Sequence, residues 1–189
     1  MKIGVLALQG AFIEHEKLLR RCGVDVVQVR LPEQLEGLDG LVIPGGESTT
    51  IGRLATTFGL MEPLKQFASQ HPTWGTCAGM IFLAKDIGID RQPILGLMDI
   101  RVNRNAFGRQ IDSFERDIEI AGISGGPFHA VFIRAPVATH AGDGVEVLAA
   151  LEPERIVAVR EGHLLGTAFH PELTDDIRVH QYFVDMCQP

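Results

Sequence analysis

Short apolar runs separated by amphipathic stretches fill the amino-terminal part of the chain, and this alternation restricts the fold more than any other feature. Ile3 to Leu8, Asp25 to Arg30, Leu41 to Ile43 and Thr73 to Thr76 read as strands. Between them, Glu14 to Cys22 and Met61 to Ala68 carry helical spacing, marked by Leu18, Leu19 and Cys22 in the first and by Leu60, Leu64, Phe67 and Ala68 in the second. Pro63 suits the first turn of its helix, where its missing N–H costs nothing. Strand and helix in alternation predict a parallel sheet with helices on both faces, because right-handed crossovers lay each helix back on the sheet.

The pattern then changes. Gly96 to Val102, Phe114 to Ile120, Ala130 to Arg134, Val145 to Leu151, Ile156 to Arg160 and Leu164 to Phe169 read as strands, with Glu161-Gly162-His163 as a hairpin turn between the last two. Asp175 to Met186 closes the chain as a helix whose inner face holds Ile177, His180, Phe183 and Val184. The predicted fold class is α/β, in three layers, with a mostly parallel mixed sheet flanked by helices. One domain, 1–189, is expected, since a chain of this length buries roughly 70% of its unfolded surface.

Composition narrows the function. A net charge of -7 without any Lys/Arg run argues against nucleic-acid binding. The opening apolar stretch is too short to span a bilayer and lacks a signal-peptide pattern, so no membrane association is expected. Three cysteines, Cys22, Cys77 and Cys187, are too scattered for a disulfide framework and lack Cys-x-x-Cys spacing, which fits a reducing cytoplasm and no metal site.

In an open parallel sheet, ligands bind beyond the carboxyl ends of the strands. Three segments fall there: Gln9-Gly10, the run Pro44-Gly45-Gly46-Glu47-Ser48-Thr49-Thr50, and Gly75-Thr76-Cys77-Ala78-Gly79. The two glycines of the second let amides turn toward a ligand, and Ser48 or Thr49 can cap the next helix. Glycines on either side of Cys77 permit a tight, strained strand-to-helix turn that pushes the apex side chain toward solvent at a helix amino end, where a thiolate is favoured. A buried core cysteine is the alternative reading of that pentapeptide.

A nucleophilic cysteine needs a base, and the base needs an orienting partner. In Phe169-His170-Pro171-Glu172 a histidine ends an apolar strand, and in extended backbone the carboxylate two residues on points the same way. His15, His71, His140, His163 and His180 form no metal-ligand pattern, and His129 reads as a satisfied core residue. Arg104 and Arg134 follow or end strands and could grip a carboxylate, or could form surface ion pairs.

Gly-Gly-Glu-Ser, Gly-Thr-Cys-Ala-Gly and His-Pro-Glu in this order resemble the class I, triad-type glutamine amidotransferases. Leu8-Gln9-Gly10-Ala11, the Pro44 to Thr50 run, Val102 to Gln110 and Phe132-Ile133-Arg134-Ala135-Pro136 are similar, within that class, to the glutaminase subunits of pyridoxal 5'-phosphate synthase, over essentially the whole chain. The resemblance implies a class I amidotransferase-like, flavodoxin-like fold with Cys77 as nucleophile, His170 as acid and base, and Glu172 orienting His170. It implies glutamine binding by Gly46, Glu47, Ser48, Arg104, Ile133 and Arg134, and oxyanion donation by the amides of Gly46 and Ala78. L-Glutamine would be hydrolysed through a glutamyl thioester without a cofactor. The ammonia would pass to a synthase subunit, a barrel of the PdxS type, that makes pyridoxal 5'-phosphate. Delivery to another ammonia-using synthase, or redox sensing by Cys77, are the alternatives.

Overall fold

The computed structural model describes residues 1–89, 91–104 and 113–188. Among them, β1 (Lys2–Leu6), α1 (Phe12–Arg21), β2 (Asp25–Val29), β3 (Gly40–Ile43), α2 (Ser48–Thr57), α3 (Met61–Ala68), β4 (Thr73–Thr76) and α4 (Ala78–Leu83) follow in chain order, with only a 3-10 turn between β2 and β3. Next come β5 (Ala84–Asp86), β6 (Met98–Asn103), β7 (Ser113–Ile118), β8 (Phe128–Ile133), β9 (Val137–Ala141), β10 (Glu146–Glu152), β11 (Arg155–Glu161) and β12 (Leu164–Thr167), with α5 (Arg178–Met186) at the end. The main sheet runs β2-β1-β3-β4-β12-β11-β9-β6-β5, with β10 on β11, and β7 and β8 form a separate antiparallel ribbon.

β1, β2, β3, β4 and β12 are mutually parallel, whereas β11 is antiparallel to β12, β9 and β10. The turn at Glu161-Gly162-His163 joins β11 to β12 as expected, with Gly162 at φ 58°. β12 therefore enters the parallel block from the far end of the chain, so the segment after it reaches the same edge as the segments after β3 and β4.

Alternation along β4 shows the three layers. Trp74 meets His15 of α1 and His180 and Phe183 of α5, and Thr76 bonds His15, so even positions face α1 and α5. Gly75 points the opposite way, where a Cβ would run into the backbone of Gly79 in α4. Trp74, Phe82, Phe169 and Phe183 are among the largest fully buried side chains, and one apolar cluster runs through both halves of the sheet. Burying a side chain of this size contributes about 1.5–3 kcal/mol.

Several expectations are corrected. α2 is capped by Glu47, whose carboxylate accepts from the N–H groups of Thr49 and Thr50; Ser48 and Thr49 do not cap it. His129 is exposed on β8 between Asp117 and Glu115 rather than in the core, and His140 lies in β9. The closing helix starts at Arg178, with Asp176 accepting from its backbone N–H. Asn105 to Gln110 of the motif after β6 lie outside the described residues.

Candidate active site

Four parallel strands end on one edge, and their following segments converge on a cavity of about 510 Å³. Cys77 follows β4 at φ 48°, ψ -103°, a conformation that costs of the order of 1–3 kcal/mol in a residue bearing a Cβ. The flanking glycines make it possible: a Cβ on Gly79 would collide with the carbonyl of Ile43 on β3. The Cys77 N–H donates to Thr167 O at 2.7 Å, and its own carbonyl accepts from Met80 and Ile81 at the start of α4. Contrary to the expectation of an apex in open solvent, the residue is only 6% exposed, and its thiol faces the cavity wall 3.9 Å from Ile133 O.

His170 follows β12 and is tied back by its N–H to Val131 O at 2.8 Å. Its Nδ1 lies 2.7 Å from Glu172 Oε1, as the sequence leads one to expect, but extended backbone is not the cause. Pro171–Leu173 form a 3-10 turn, and Leu173 N–H donates to His170 O at 3.2 Å, curling the carboxylate under the ring. Burial opposes a charged imidazole, yet the contacts with Cys77 and Glu172 overcome it and push the His170 pKa up to about 10. Burial also opposes the Glu172 charge, but His15 and His170 beside it hold the carboxyl below its ordinary range.

The opposite wall is the β3–α2 loop. Gly45 O accepts from Ala11 N–H at 3.0 Å, and Gln9 Oε1 accepts from Glu47 N–H at 2.7 Å, so the loops after β1 and β3 are knit together. With no cis bond among the described residues, the Gly45–Gly46 peptide directs its N–H away from Ala11, and that N–H has no backbone partner there. Gly45 itself must lack a side chain, since a Cβ would press on the His170 ring and on Cys77.

The binding residues foreseen from sequence divide in two. Gly46, Glu47, Ser48, Arg104, Ile133 and Arg134 all line the cavity, with Ala78. Ser48 is buried and its hydroxyl has no partner among the described residues. The Glu47 carboxylate is occupied instead: it bonds Thr49, Thr50 and, at 3.5 Å, Arg104. Although burial works against it, the bonds from Thr50 and Thr49 bring its pKa down to about 2. Arg104 also donates to Gln92 Oε1 at 2.6 Å, and Arg134 adopts φ 43°. Sequence reasoning passed over Gln92 and His15, because neither stands beside its partners in the chain.

A family model described as the SNO glutamine amidotransferase family matches residues 5–189. The chain belongs to the SNO glutamine amidotransferase family. Curated members are similar along their whole length: the pyridoxal 5'-phosphate synthase subunit PdxT of Herpetosiphon aurantiacus is 58% identical over 98% of this chain and 100% of its own. The protein of the same name from Pelotomaculum thermopropionicum is 60% identical over 99% and 95%. A crystal structure of a glutamine amidotransferase superposes with a TM-score of 0.92 at 51% identity, covering 98% of each chain. PurLQS of Thermotoga maritima, at 16% identity and a TM-score of 0.70, shares the fold. The chain is thus a glutamine amidotransferase, and its α/β architecture is that of the family.

Proposed function

We propose that residues 1–189 form a single amidotransferase domain, the glutaminase subunit of a pyridoxal 5'-phosphate synthase, with Cys77, His170 and Glu172 as its triad. The observation that carries this reading is the meeting of Cys77, the His170–Glu172 pair and Ser48, whose hydroxyl has no partner among the described residues, around one cavity. L-Glutamine binds against Ser48, Arg104 and the Ile133–Arg134 corner. The Cys77 thiolate attacks the carboxamide carbon, and the N–H groups of Gly46 and Ala78 receive the oxyanion. His170, protonated at neutral pH because its pKa is about 10, gives its proton to the leaving ammonia. Water then cleaves the glutamyl thioester, its proton passing to His170 as the Cys77 thiolate departs, and glutamate leaves.

The ammonia serves a synthase subunit of barrel type, which shields it from loss, in the cytoplasm. Docking has a physical handle here. The Gly45–Gly46 peptide is held by Ala11, and Glu47 by Gln9, so a partner pressing on the Gln9–Ala11 loop reorients the oxyanion donors. Glutamate release is therefore slow in the isolated subunit and stimulated by the synthase subunit. Labelling with a glutamine-analogue electrophile tests the nucleophile: modification is expected at Cys77, with protection by glutamine. Labelling of Cys22 or Cys187 at the same rate, or no protection, would count against the assignment.

A further inference from the structure

His15 on α1 and His180 on α5 are both fully buried, and no step above uses either. His15 Nε2 lies 3.3 Å from Glu172 Oε2 and 3.1 Å from Thr76 Oγ1, and His15 Nδ1 lies 2.9 Å from His180 Nε2. Trp74 packs edge-on against both rings, with centroids 5.3 and 4.9 Å away, and restrains their rotation. Glu172 Oε1 is committed to His170, whereas Oε2 is buried with no hydrogen-bond partner among the described residues, its nearest ionisable neighbour being His15 Nε2.

One arrangement of protons suits these contacts. An unprotonated His15 Nε2 would set its lone pair against the carboxylate oxygen at a buried position, which is costly at low dielectric. With Nε2 protonated, that N–H is shared between Thr76 Oγ1 and Glu172 Oε2, and Nδ1 accepts from the His180 Nε2–H. His180 Nδ1, buried without a partner among the described residues, is then a bare acceptor, a lesser fault than an orphaned N–H. A doubly protonated His15 would turn that same nitrogen into an orphaned donor.

We propose that His15 is a positioning residue for the triad: a neutral ring protonated on Nε2, its tautomer set by His180, it holds the second oxygen of Glu172 while the first stays on His170. The inference rests on the triad assignment above. Burial, the largest influence, lowers the His15 pKa; Glu172 and Glu14 act to raise it and His170 to lower it. Burial, His15 and Arg21 together keep His180 uncharged well below the ordinary imidazole value. His15 does not line the cavity, so its influence reaches glutamine only through Glu172.

Steady-state glutaminase assays of the complex with the synthase subunit, on parent, His15→Leu, His15→Gln and Cys77→Ala, test this. His15→Leu strips the donor from Glu172, so its proton affinity rises. The expected result is a kcat lower by about 10- to 100-fold, by analogy with the partners that orient metal-ligating side chains, with KM for glutamine little changed and the acid limb of the pH profile moved to higher pH. The amide N–H of His15→Gln reaches toward the same oxygen, and most of kcat and the original limb should return. Imidazole 15N NMR of the unliganded parent should show His15 protonated on Nε2 and bare on Nδ1 at neutral pH. A parental kcat and pH profile in folded His15→Leu, with Cys77→Ala inactive, would overturn the inference while sparing the triad. An active Cys77→Ala would overturn both. If His15→Leu does not fold, the spectrum decides: a protonated His15 Nδ1 overturns the proposal.

Discussion

At the residue scale the site is built from atoms denied their usual partners. Ser48 is the clearest case: it opens α2 and lines the cavity, yet Glu47 has taken the capping task, so its hydroxyl stays buried without a partner among the described residues. If glutamine supplies the missing partner, Ser48→Ala should raise KM by about 3- to 10-fold, the loss of one neutral hydrogen bond, and spare kcat. Initial-rate measurements on the complex check this, and an unchanged KM would remove Ser48 from the binding set. Legibility at this scale followed locality. Cys77 between its glycines and His170 two positions from Glu172 announce themselves in the sequence. His15 does not, because its ring partners Thr76 and His180 lie 61 and 165 positions away.

At the scale of elements, the loop between β3 and α2 carries both the helix cap and the cavity wall. Glu47→Ala should cost about 1 kcal/mol of stability through loss of the cap. The sign of its pH dependence follows from the lowered pKa: the contribution is complete above the ordinary carboxyl value of 4.5 and is lost as pH falls toward about 2. Urea denaturation of parent and variant should therefore differ at pH 7 and converge in acid; a constant difference would show that the cap is not the cause. The parallel strands and α3 were legible because apolar runs and helical spacing mark them. β9 was not, since Val137–Ala141 is short, carries Thr139 and His140, and meets β11 at a single residue pair. β5 follows α4 with no intervening residue, so no Gly or Pro marks the change.

For the whole molecule, topology does what no single motif can. The return of β12 beside β4 sets His170 against Cys77, although nearly half the chain separates them. The site is then braced from both faces of the sheet: Cys77 by α4, Glu172 by His15 of α1, and the Gly45–Gly46 peptide by the loop that leads into α1. On the proposed function, a partner engaging that loop would act directly on the peptide that donates to the oxyanion. Glutamate release from glutamine, measured for parent and Cys77→Ala with and without the synthase subunit, tests the central claim most directly. The account predicts a slow parent alone, a stimulated parent in the complex, and no release above background from Cys77→Ala in either state. Release by Cys77→Ala at the parental rate in the complex would contradict it.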